Sequence, residues 1–411
     1  MISEFFNSIA RVRTECAGQA GLLLERFGHQ LWQAGYAAIT ARRRLRAAEH
    51  FLYWASRRGI PIDSLTAQTV ERFRRHLRRC RCPQYGSSDK GLLRGVRLFM
   101  GQLQEAGVIK GAGVTSKDSD PALLVAFCKW MRQQRGTGEA TLSLYGTHIR
   151  ELLRSLGETP EKFNAQNLRE FVIKGYQTCG WVKAKTRTKA LRMFLRFLSA
   201  DGQCAAGLEA AIPVFAHHRL ASLPRYLQPD DVERLIASCE PTSPVGRRNR
   251  AILLLLARLG LRVGDIVQLR LQDIEWKDGW VHVSGKSPCQ TRLPLTEEVG
   301  QALVAYVKEG RPQVDSDAFF LHCRAPFCAF RSHGAVSVIV ARALRQAGVA
   351  HAGRGAAHLL RHSVATSMLR HGASLPEVAT LLRHRSIATT QIYAKVDVTA
   401  LCKIAQPWPE V

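Results

Sequence analysis

A weak internal repeat in the first half of the chain constrains the fold most. The segment 65–73 matches 163–171 at an offset of 98 residues. Further on, at an offset of 95, the matching pairs are Phe99 and Phe194, Leu103 and Leu198, and Gly107 and Gly202. In both copies the later apolar positions recur at helical spacing and stop at a glycine suited to a helix C′ position. Duplication, or convergence on one pattern, therefore predicts two all-helical units of about four helices each.

The chain has 411 residues, which is more than one hydrophobic core usually holds and indicates two or three domains. A polar, glycine-bearing stretch at 111–120 separates the two copies, and a proline-bearing junction at 207–230 follows the second. We therefore predict two helical domains, over 1–112 and 117–205, and a third domain over 222–411.

The C-terminal segment mixes helical patterns with one hairpin. Helical spacing occurs at 230–239, 246–258, 263–271, 297–309, 334–347, 358–371, 375–382 and 387–394. Between them, Trp280–Ser284 and Gln290–Pro294 alternate apolar and polar residues on either side of a turn with Gly285 and Pro288. The expected fold class is mainly α: two small tandem helical domains, then a mostly helical domain with a small β-hairpin or sheet.

The charge points to a polyanionic partner. The chain carries 59 Lys and Arg against 33 Asp and Glu, a net charge of +26. The excess is +11 over 1–116, +7 over 117–205 and +8 over 206–411, so no isolated basic tail explains it. Nucleic acid is the first candidate and an anionic membrane surface the second.

A membrane location is not expected. The longest aliphatic run, 251–257, lies between Arg250 and Arg258 and is far shorter than the roughly 20 residues of a membrane span. The first sixteen residues contain charged side chains and no apolar stretch typical of a secretory signal. These features predict a cytoplasmic protein.

The eleven cysteines are scattered and form no disulfide framework, so reduced thiols are expected. The nearest approach to a metal site is His76, Cys80 and Cys82. A single residue between the two cysteines is a poor zinc spacing and no second pair follows, whereas a plain helix end before Pro83 accounts for the segment. The sequence therefore predicts no metal and no cofactor.

Six polar residues of the C-terminal segment occupy positions that a plain core would not choose. Arg262 lies at a junction between two helices, where anions bind well. Lys286 lies on the hairpin turn, although most turn lysines are simply solvated. His358 and Arg361 are three residues apart on one helical face.

The last two candidates, His384 and Tyr393, lie near the C-terminus. Tyr393 is the only tyrosine after Arg361, and taken alone it is typical of packing or of a surface residue.

Taken together, these residues resemble the tyrosine recombinase family, also called the phage integrase family. The resemblance covers about 117–411 and rests on order and spacing: 24 residues from Arg262 to Lys286, 23 from Arg361 to His384, and 9 from His384 to Tyr393. It implies a helical core-binding domain over 117–205 and a catalytic domain over 222–411, which close on DNA as a C-shaped clamp. The domain over 1–112 is additional to the usual family pattern.

The resemblance also implies a mechanism without metal or ATP. A tyrosine hydroxyl, here Tyr393, attacks a phosphodiester and leaves a 3′-phosphotyrosine and a free 5′-hydroxyl. The arginines that match are Arg262 and Arg361, which would neutralise the phosphate. Lys286 would protonate the leaving oxygen, and His358 would assist proton transfer from the tyrosine. His384 would bind the phosphate or position the nucleophile.

Some residues depart from the family pattern. A glycine often precedes the second histidine and a small residue follows it, but here Arg383 and Arg385 flank His384. They would add phosphate contacts or set a different helix angle. In the turn, Ser287 replaces the common glycine after Lys286. His362 is interpreted as lying one residue off the face of His358.

Basic residues near the end of the second repeat are expected to contact DNA, although a solvated helix face explains them equally well. They are Lys183, Lys185, Arg187, Lys189 and Arg192. The arginines between 72 and 81 would bind flanking DNA or a neighbouring subunit.

The leading hypothesis is a site-specific integrase or recombinase of a mobile element, which acts as a homotetramer on double-stranded DNA with two specific sites. Two alternatives remain open at this point. One is a non-catalytic DNA-binding protein with a retired recombinase fold, and the other is a DNA-relaxing enzyme like type IB topoisomerases.

Overall fold

The computed structural model describes residues 19–82, 90–109, 120–178, 180–213, 223–284, 290–350, 355–384, 386–396 and 401–402. These residues are mostly helical with one three-stranded antiparallel sheet, which confirms the expected fold class. None of the helices in these ranges is long and apolar enough to cross a membrane.

The chain divides into two compact units. One consists of Met1–Ile62, Arg72–Leu103 and Arg219–Val411, and the other of Asp63–Glu71 and Gln104–His218. The division into domains over 1–112, 117–205 and 222–411 stays a prediction.

The described residues of the repeated half contain eight α-helices. They are α1 Gln19–Gln33, α2 Ala38–Ser56, α3 Ala67–Leu77, α4 Lys90–Glu105, α5 Ala122–Arg135, α6 Glu139–Leu156, α7 Ala165–Thr178 and α8 Trp181–Ala200. A 3-10 turn precedes the third helix of each set, at Ile62–Ser64 and Pro160–Lys162. The element order is therefore the same in both copies.

The two copies also begin their third helix in the same way. Thr66 and Thr69 exchange hydrogen bonds from backbone N–H to side-chain oxygen, at 3.2 and 3.3 Å. Asn164 and Asn167 lie 98 residues later and make the same reciprocal pair at 3.0 and 2.9 Å. Such pairs satisfy N–H groups that the first helical turn leaves without a partner.

Burial extends the repeat into the second helix. The buried positions of α2 at 47, 48, 50, 51, 54 and 55 correspond, at the offset of 98, to buried positions of α6 at 145, 146, 148, 149, 152 and 153. A buried histidine lies at the same place in both copies, His50 in the first and His148 in the second. Sequence matching alone does not detect this part of the repeat.

The C-terminal part has seven described α-helices. They are α9 Pro229–Ala237, α10 Pro244–Ala257, α11 Val263–Gln268, α12 Glu297–Glu309, α13 His333–Gln346, α14 Ala356–Arg370 and α15 Leu375–Leu381. The aliphatic run of α10 is the centre of the core, since every residue from Ala251 to Leu256 is fully buried. This run is a core helix, as expected.

The sheet contains the expected hairpin and one more strand. Trp280–Ser284 (β2) pairs antiparallel with Gln290–Pro294 (β3), and Val281 is opposite Leu293. Ile274–Glu275 (β1) pairs with the other edge of β2. The sequence did not indicate β1 because two residues are too few for an alternating pattern.

Two of the expected helices differ in the structure. The helix expected at 263–271 ends at Gln268, because the Asp273 carboxylate accepts the backbone N–H of Arg270 at 2.7 Å and starts a 3-10 turn. The segment expected as a helix at 387–394 is a 3-10 helix, Ile387–Val396. Four of its residues are β-branched isoleucine or threonine, which disfavour a regular α-helix.

Candidate active site

Two of the candidate arginines meet at one backbone carbonyl. Arg262 precedes α11 and donates from Nη2 to the carbonyl oxygens of Leu382, at 3.2 Å, and Arg383, at 2.7 Å. Arg361, from the buried face of α14, also donates from Nη2 to the Leu382 oxygen. Residues that are 99 positions apart in sequence therefore place their guanidinium groups side by side.

A glycine makes this approach possible. Gly260 has a left-handed backbone, with φ of +58°, and its carbonyl oxygen accepts a second hydrogen bond from Arg361. A Cβ atom at this position would lie 2.8 Å from the Leu382 side chain. Only glycine combines this backbone conformation with the close packing of the Leu382 loop.

Arg383 is held inside the protein by an ion pair with Asp265. The Arg383 side chain is 8% exposed and its guanidinium donates to the Asp265 carboxylate, which is 5% exposed. The same carboxylate accepts the backbone N–H of Arg262 at 2.8 Å. The Arg383 charge is therefore buried and paired in the structure, and its expected contact with DNA stays a prediction.

The backbone conformation of Arg383 shows why the family often has glycine at this position. Its φ of +51° makes it the one residue other than glycine with a left-handed backbone among the described residues. The family often has glycine here, which adopts this conformation without steric cost. In this chain, where arginine replaces that glycine, the buried ion pair with Asp265 stabilises the arginine.

Tyr393 is buried beside a histidine. Its side chain is 1% exposed, and its hydroxyl lies 2.7 Å from Nδ1 of His362. Burial raises the pKa of Tyr393 to about 12, and the nearby charge of Arg361 partly opposes that increase. At neutral pH the hydroxyl therefore keeps its proton, and it can donate that proton to Nδ1 when the His362 ring carries its own proton on Nε2.

The interpretation of His362 as off the face of His358 is wrong. The two histidines are four residues apart on α14, and residues four apart lie on the same face of a helix. Burial, then the neighbouring His358 and Arg361, lower the pKa of His362 to about 4, so the ring is neutral at physiological pH. The spacing of four was the signal that could have identified this residue.

The other two histidines lie near the arginines and the C-terminal 3-10 helix. His358 is exposed in part, and its pKa is lowered by the surrounding protein and then by the charges of Arg361 and Arg262. His384 lies 2.7 Å from the hydroxyl of Thr390 through its Nδ1. The structure therefore brings His358, Arg262 and Arg361 together and places His384 directly after the carbonyls that bind the arginines.

The site carries an excess of positive charge. Burial, and then the charges of Arg262 and Arg383, lower the pKa of Arg361 to about 10, which still leaves its guanidinium protonated at neutral pH. Among the described residues, the charges of Arg262 and Arg383 act on Arg361, and the Asp265 carboxylate pairs with Arg383. An anion bound between Arg262 and Arg361 would relieve this repulsion, and a phosphodiester fits the bidentate donors of arginine.

The basic residues of α8 fall into two groups. Lys183, Lys185 and Lys189 are exposed. The Arg187 side chain is buried, with its guanidinium 4.1 Å from the centroid of the Phe171 ring, and its expected contact with DNA stays a prediction. Arg192 is half-buried and donates to the Ile212 carbonyl at 2.8 Å.

Two of the predicted site residues, Lys286 and Arg385, lie outside the described residues. Their roles stay predictions.

Known proteins are similar to this chain over its C-terminal part and, in one case, over nearly its whole length. The family model described as the phage integrase family matches residues 225–399. An integrase/recombinase of Sinorhizobium fredii, y4rA, is 33% identical over 400 residues, which cover 95% of each chain. Tyrosine recombinase XerD of Listeria monocytogenes is 28% identical over 291 residues, 67% of this chain and 94% of XerD.

Solved structures show the same fold. XerH site-specific recombinase bound to its difH substrate aligns with a TM-score of 0.52 at 19% identity, over 82% of this chain and 95% of XerH. A lambda integrase dimer bound to a COC′ core site aligns with a TM-score of 0.53 at 19% identity, over 70% of this chain and 97% of that one.

The fold and the site define a DNA strand-transferring enzyme. The chain belongs to the phage integrase family of tyrosine recombinases. Members of this family cleave and rejoin DNA, so the retired-fold and topoisomerase alternatives are not favoured.

Proposed function

We propose that this chain is a site-specific recombinase of a mobile genetic element and that it cuts each DNA strand through a 3′-phosphotyrosine at Tyr393. The observation that carries the proposal is the convergence of Arg262 and Arg361 on the Leu382 carbonyl, next to a tyrosine whose pKa responds to Arg361. Two guanidinium forks and one nucleophile are the parts that a metal-free phosphoryl transfer needs.

When phosphate binds, the two arginines exchange their backbone carbonyl acceptors for phosphate oxygens. When the scissile phosphate enters, its nonbridging oxygens accept hydrogen bonds from Arg262 and Arg361 in place of the carbonyls of Leu382 and Arg383. A charge-assisted bond to phosphate is stronger than one to a neutral carbonyl, so the exchange is favourable. The same bonds become stronger as negative charge accumulates on the pentacoordinate phosphate, which lowers the barrier.

The tyrosine needs a proton acceptor because its pKa of about 12 leaves little phenolate at neutral pH. His362 receives the hydroxyl hydrogen bond in the free protein and holds the nucleophile in place. His358 lies near the two arginines and assists the transfer of the proton from Tyr393. The Tyr393 proton passes to Nδ1 of His362 with the assistance of His358, and the Tyr393 oxygen bonds to phosphorus. The bond to the 5′-oxygen then breaks, and Lys286 protonates the leaving oxygen.

The partner is double-stranded DNA with two specific recombination sites, bound by a homotetramer. The exposed lysines of α8, Lys183, Lys185 and Lys189, contact the phosphate backbone and supply affinity without sequence selection. The domains over 1–112, 117–205 and 222–411 share this binding, and with DNA as substrate we place the protein in the cytoplasm.

A suicide substrate tests the proposal. DNA from the regions flanking the coding sequence is nicked close to each candidate cleavage point, so that a short 5′-hydroxyl fragment diffuses away and the covalent complex accumulates. The wild-type chain is expected to give a denaturation-resistant protein–DNA adduct, and Tyr393→Phe to give none.

Tyr306→Phe is the matched control, because Tyr306 is also fully buried with its pKa raised to about 12 but contacts the Leu321 backbone at 3.1 Å. This variant is expected to form the adduct. An adduct that persists in Tyr393→Phe contradicts the proposal. Relaxation of a supercoiled plasmid without any specific site would instead support a topoisomerase.

A further inference from the structure

Four possible metal ligands come together in the first helical repeat. They are His50, His76, Cys80 and Cys82, and one ligand atom from each lies within 4.8 Å of all the others. His50 is fully buried, and the other three are half-buried. The cluster is far from the Tyr393 site in sequence and has no part in the proposed cleavage reaction.

The fold assembles this cluster from three segments. His50 lies on α2, His76 lies in the last turn of α3, and the cysteines follow in the extended stretch after that helix. Sγ of Cys80 is 3.5 Å from Nε2 of His50, and Sγ of Cys82 is 3.3 Å from Nε2 of His76. Each thiol therefore already faces the ring nitrogen of a histidine.

We propose that these four side chains hold one zinc ion in a tetrahedral Cys₂His₂ site. Zinc bonds of about 2.3 Å to sulfur and 2.0–2.1 Å to nitrogen place tetrahedral ligand atoms roughly 3.3–3.8 Å apart. The two observed sulfur–nitrogen distances fall in this range, and the remaining ligand atoms need to move by about 1 Å or less. A mixed thiolate and imidazole set selects zinc over hard cations such as magnesium.

The spacing of Cys80 and Cys82 predicted no metal, but the structure adds His50 as a fourth ligand. The single residue between Cys80 and Cys82 argued against zinc only as long as a second pair was absent. That second pair is formed by His50 and His76, which are 26 residues apart and whose rings have centroids 5.9 Å apart. The site is therefore defined by tertiary structure and not by a local motif.

Aromatic rings enclose the cluster on one side. The Phe73 ring is 5.0 Å from the His50 ring, and the Trp54 ring stacks 5.8 Å from the His76 ring. Such an apolar surround limits access of water to a bound metal and restricts the orientation of the two imidazole rings.

The second repeat provides an internal comparison. His148 occupies the position of His50 and lies 3.7 Å from Glu151. The positions that correspond to His76, Cys80 and Cys82 at the offset of 98 are Lys174, Thr178 and Gly180. A buried histidine is thus common to both copies, whereas the other three ligands belong to the first copy alone. This difference favours a function for the ligand set beyond helix packing.

A bound zinc ion would hold the backbone of the arginine-rich segment 78–82 in one conformation. Arg78, Arg79 and Arg81 are exposed between and beside the half-buried ligands. Two thiolates and two neutral imidazoles neutralise the charge of the dication when it binds. The metal therefore acts as a structural crosslink that holds these arginines on the surface.

Metal analysis of the full-length protein tests the inference. Protein purified under reducing conditions without chelator is expected to contain about one zinc ion per chain by mass spectrometry. The double variant Cys80→Ser/Cys82→Ser is expected to lose it. Cys128→Ser/Cys204→Ser, which changes two half-buried thiols of the second repeat, is the matched control and is expected to retain it.

Cobalt replacement provides a readout that does not depend on how a variant folds. The wild-type chain loaded with Co²⁺ is expected to show tetrahedral d–d absorption and a thiolate charge-transfer band. Cys82→His keeps four ligands, and we expect it to bind Co²⁺ with about half of that charge-transfer intensity. A folded, reduced wild-type chain that binds neither metal would overturn the inference, as would full zinc content in the double cysteine variant.

Discussion

At the candidate active site the arginines are buried or half-buried and hydrogen-bonded to the backbone, whereas along α8 the lysines are exposed to solvent. Arg361 is 6% exposed and donates to two carbonyls, while Lys183, Lys185 and Lys189 lie on an open helix face. A buried guanidinium has a fixed direction, and it loses little conformational freedom when a phosphate arrives. An exposed lysine contributes charge without a fixed geometry.

The residues that make up the net charge of +26 therefore fall into two groups with different roles. In the proposed function a small part of the charge serves a single phosphate, and a larger part acts on the DNA backbone at long range. If this division is correct, removing charge from the two regions must affect different quantities.

The largest effect is expected for Arg361. Arg361→Ala removes a donor aimed at the phosphate, so the cleavage rate should fall by about 10²–10³, by analogy with the loss of one oxyanion donor. The affinity for DNA should change little, because one buried charge among many contributes little to backbone binding. Single-turnover cleavage of the suicide substrate, with binding measured at the same salt concentration, separates the two quantities.

Arg361→Lys controls for charge, since it keeps the cation and loses the planar fork. It should cleave almost as slowly as the alanine variant. Equal losses of affinity and of cleavage rate in both variants would remove the distinction between the two regions.

The second effect concerns the ion pair that holds Arg383 inside the site. Asp265→Ala leaves the buried Arg383 guanidinium without its carboxylate, and we expect the free energy of unfolding to fall by about 3–5 kcal/mol. Glu139→Ala is the control in the helical region, where Glu139 and Arg132 form an exposed pair 2.6 Å apart. Solvent screens that pair, so denaturant unfolding should show a much smaller change.

A third prediction uses the pKa of His362. Because this pKa is about 4 in the folded chain and about 6.5 in a free histidine, the unfolded chain binds more protons between these values. The free energy of unfolding should therefore decrease as the pH falls from 6.5 to 4. The slope should stay below the limit of about 1.4 kcal/mol per pH unit, because the ring is partly exposed.

His362→Gln removes this contribution and keeps a polar side chain near Tyr393. The difference in unfolding free energy between wild type and variant, measured in urea at several pH values, should shrink on acidification. A difference that is independent of pH would show that His362 is not buried as described.

The smallest effect is expected on α8. Replacing Lys183, Lys185 and Lys189 by glutamine should weaken DNA binding on every sequence alike. It should also reduce the slope of log affinity against log salt by up to about 2.7, or about 0.9 for each phosphate contact. Cleavage of DNA that is already bound should continue at the wild-type rate. A changed cleavage rate at saturating protein would place these lysines in the reaction.

The sequence predicted most of the fold because its signals are local and periodic. The aliphatic run of α10, the hairpin of β2 and β3, and the repeated glycines at 107 and 202 each determine structure within a few residues. The order and spacing of the candidate site residues also come from the sequence alone, and the structure brings Arg262, His358 and Arg361 together.

Residues that depend on tertiary contacts could not be predicted in this way. From the sequence, Arg187 is predicted to be a surface cation. In the structure α7 packs against it, and its guanidinium occupies the space above Gly175. From the sequence, Arg383 is predicted to contact phosphate, whereas in the structure it pairs with Asp265. His50 has no ligand pattern around it in sequence, and only the packing of α2 against the end of α3 places it next to Cys80.

Cleavage by Tyr393 is tested most directly by identifying the residue that is covalently linked to DNA. The adduct formed on the suicide substrate is digested with protease and nuclease, and the nucleotide-bearing peptide is sequenced by mass spectrometry. We expect one peptide, with a 3′-nucleotide linked through phosphate to the oxygen of Tyr393. Linkage to any other residue, or to the 5′ end of the broken strand, would contradict it.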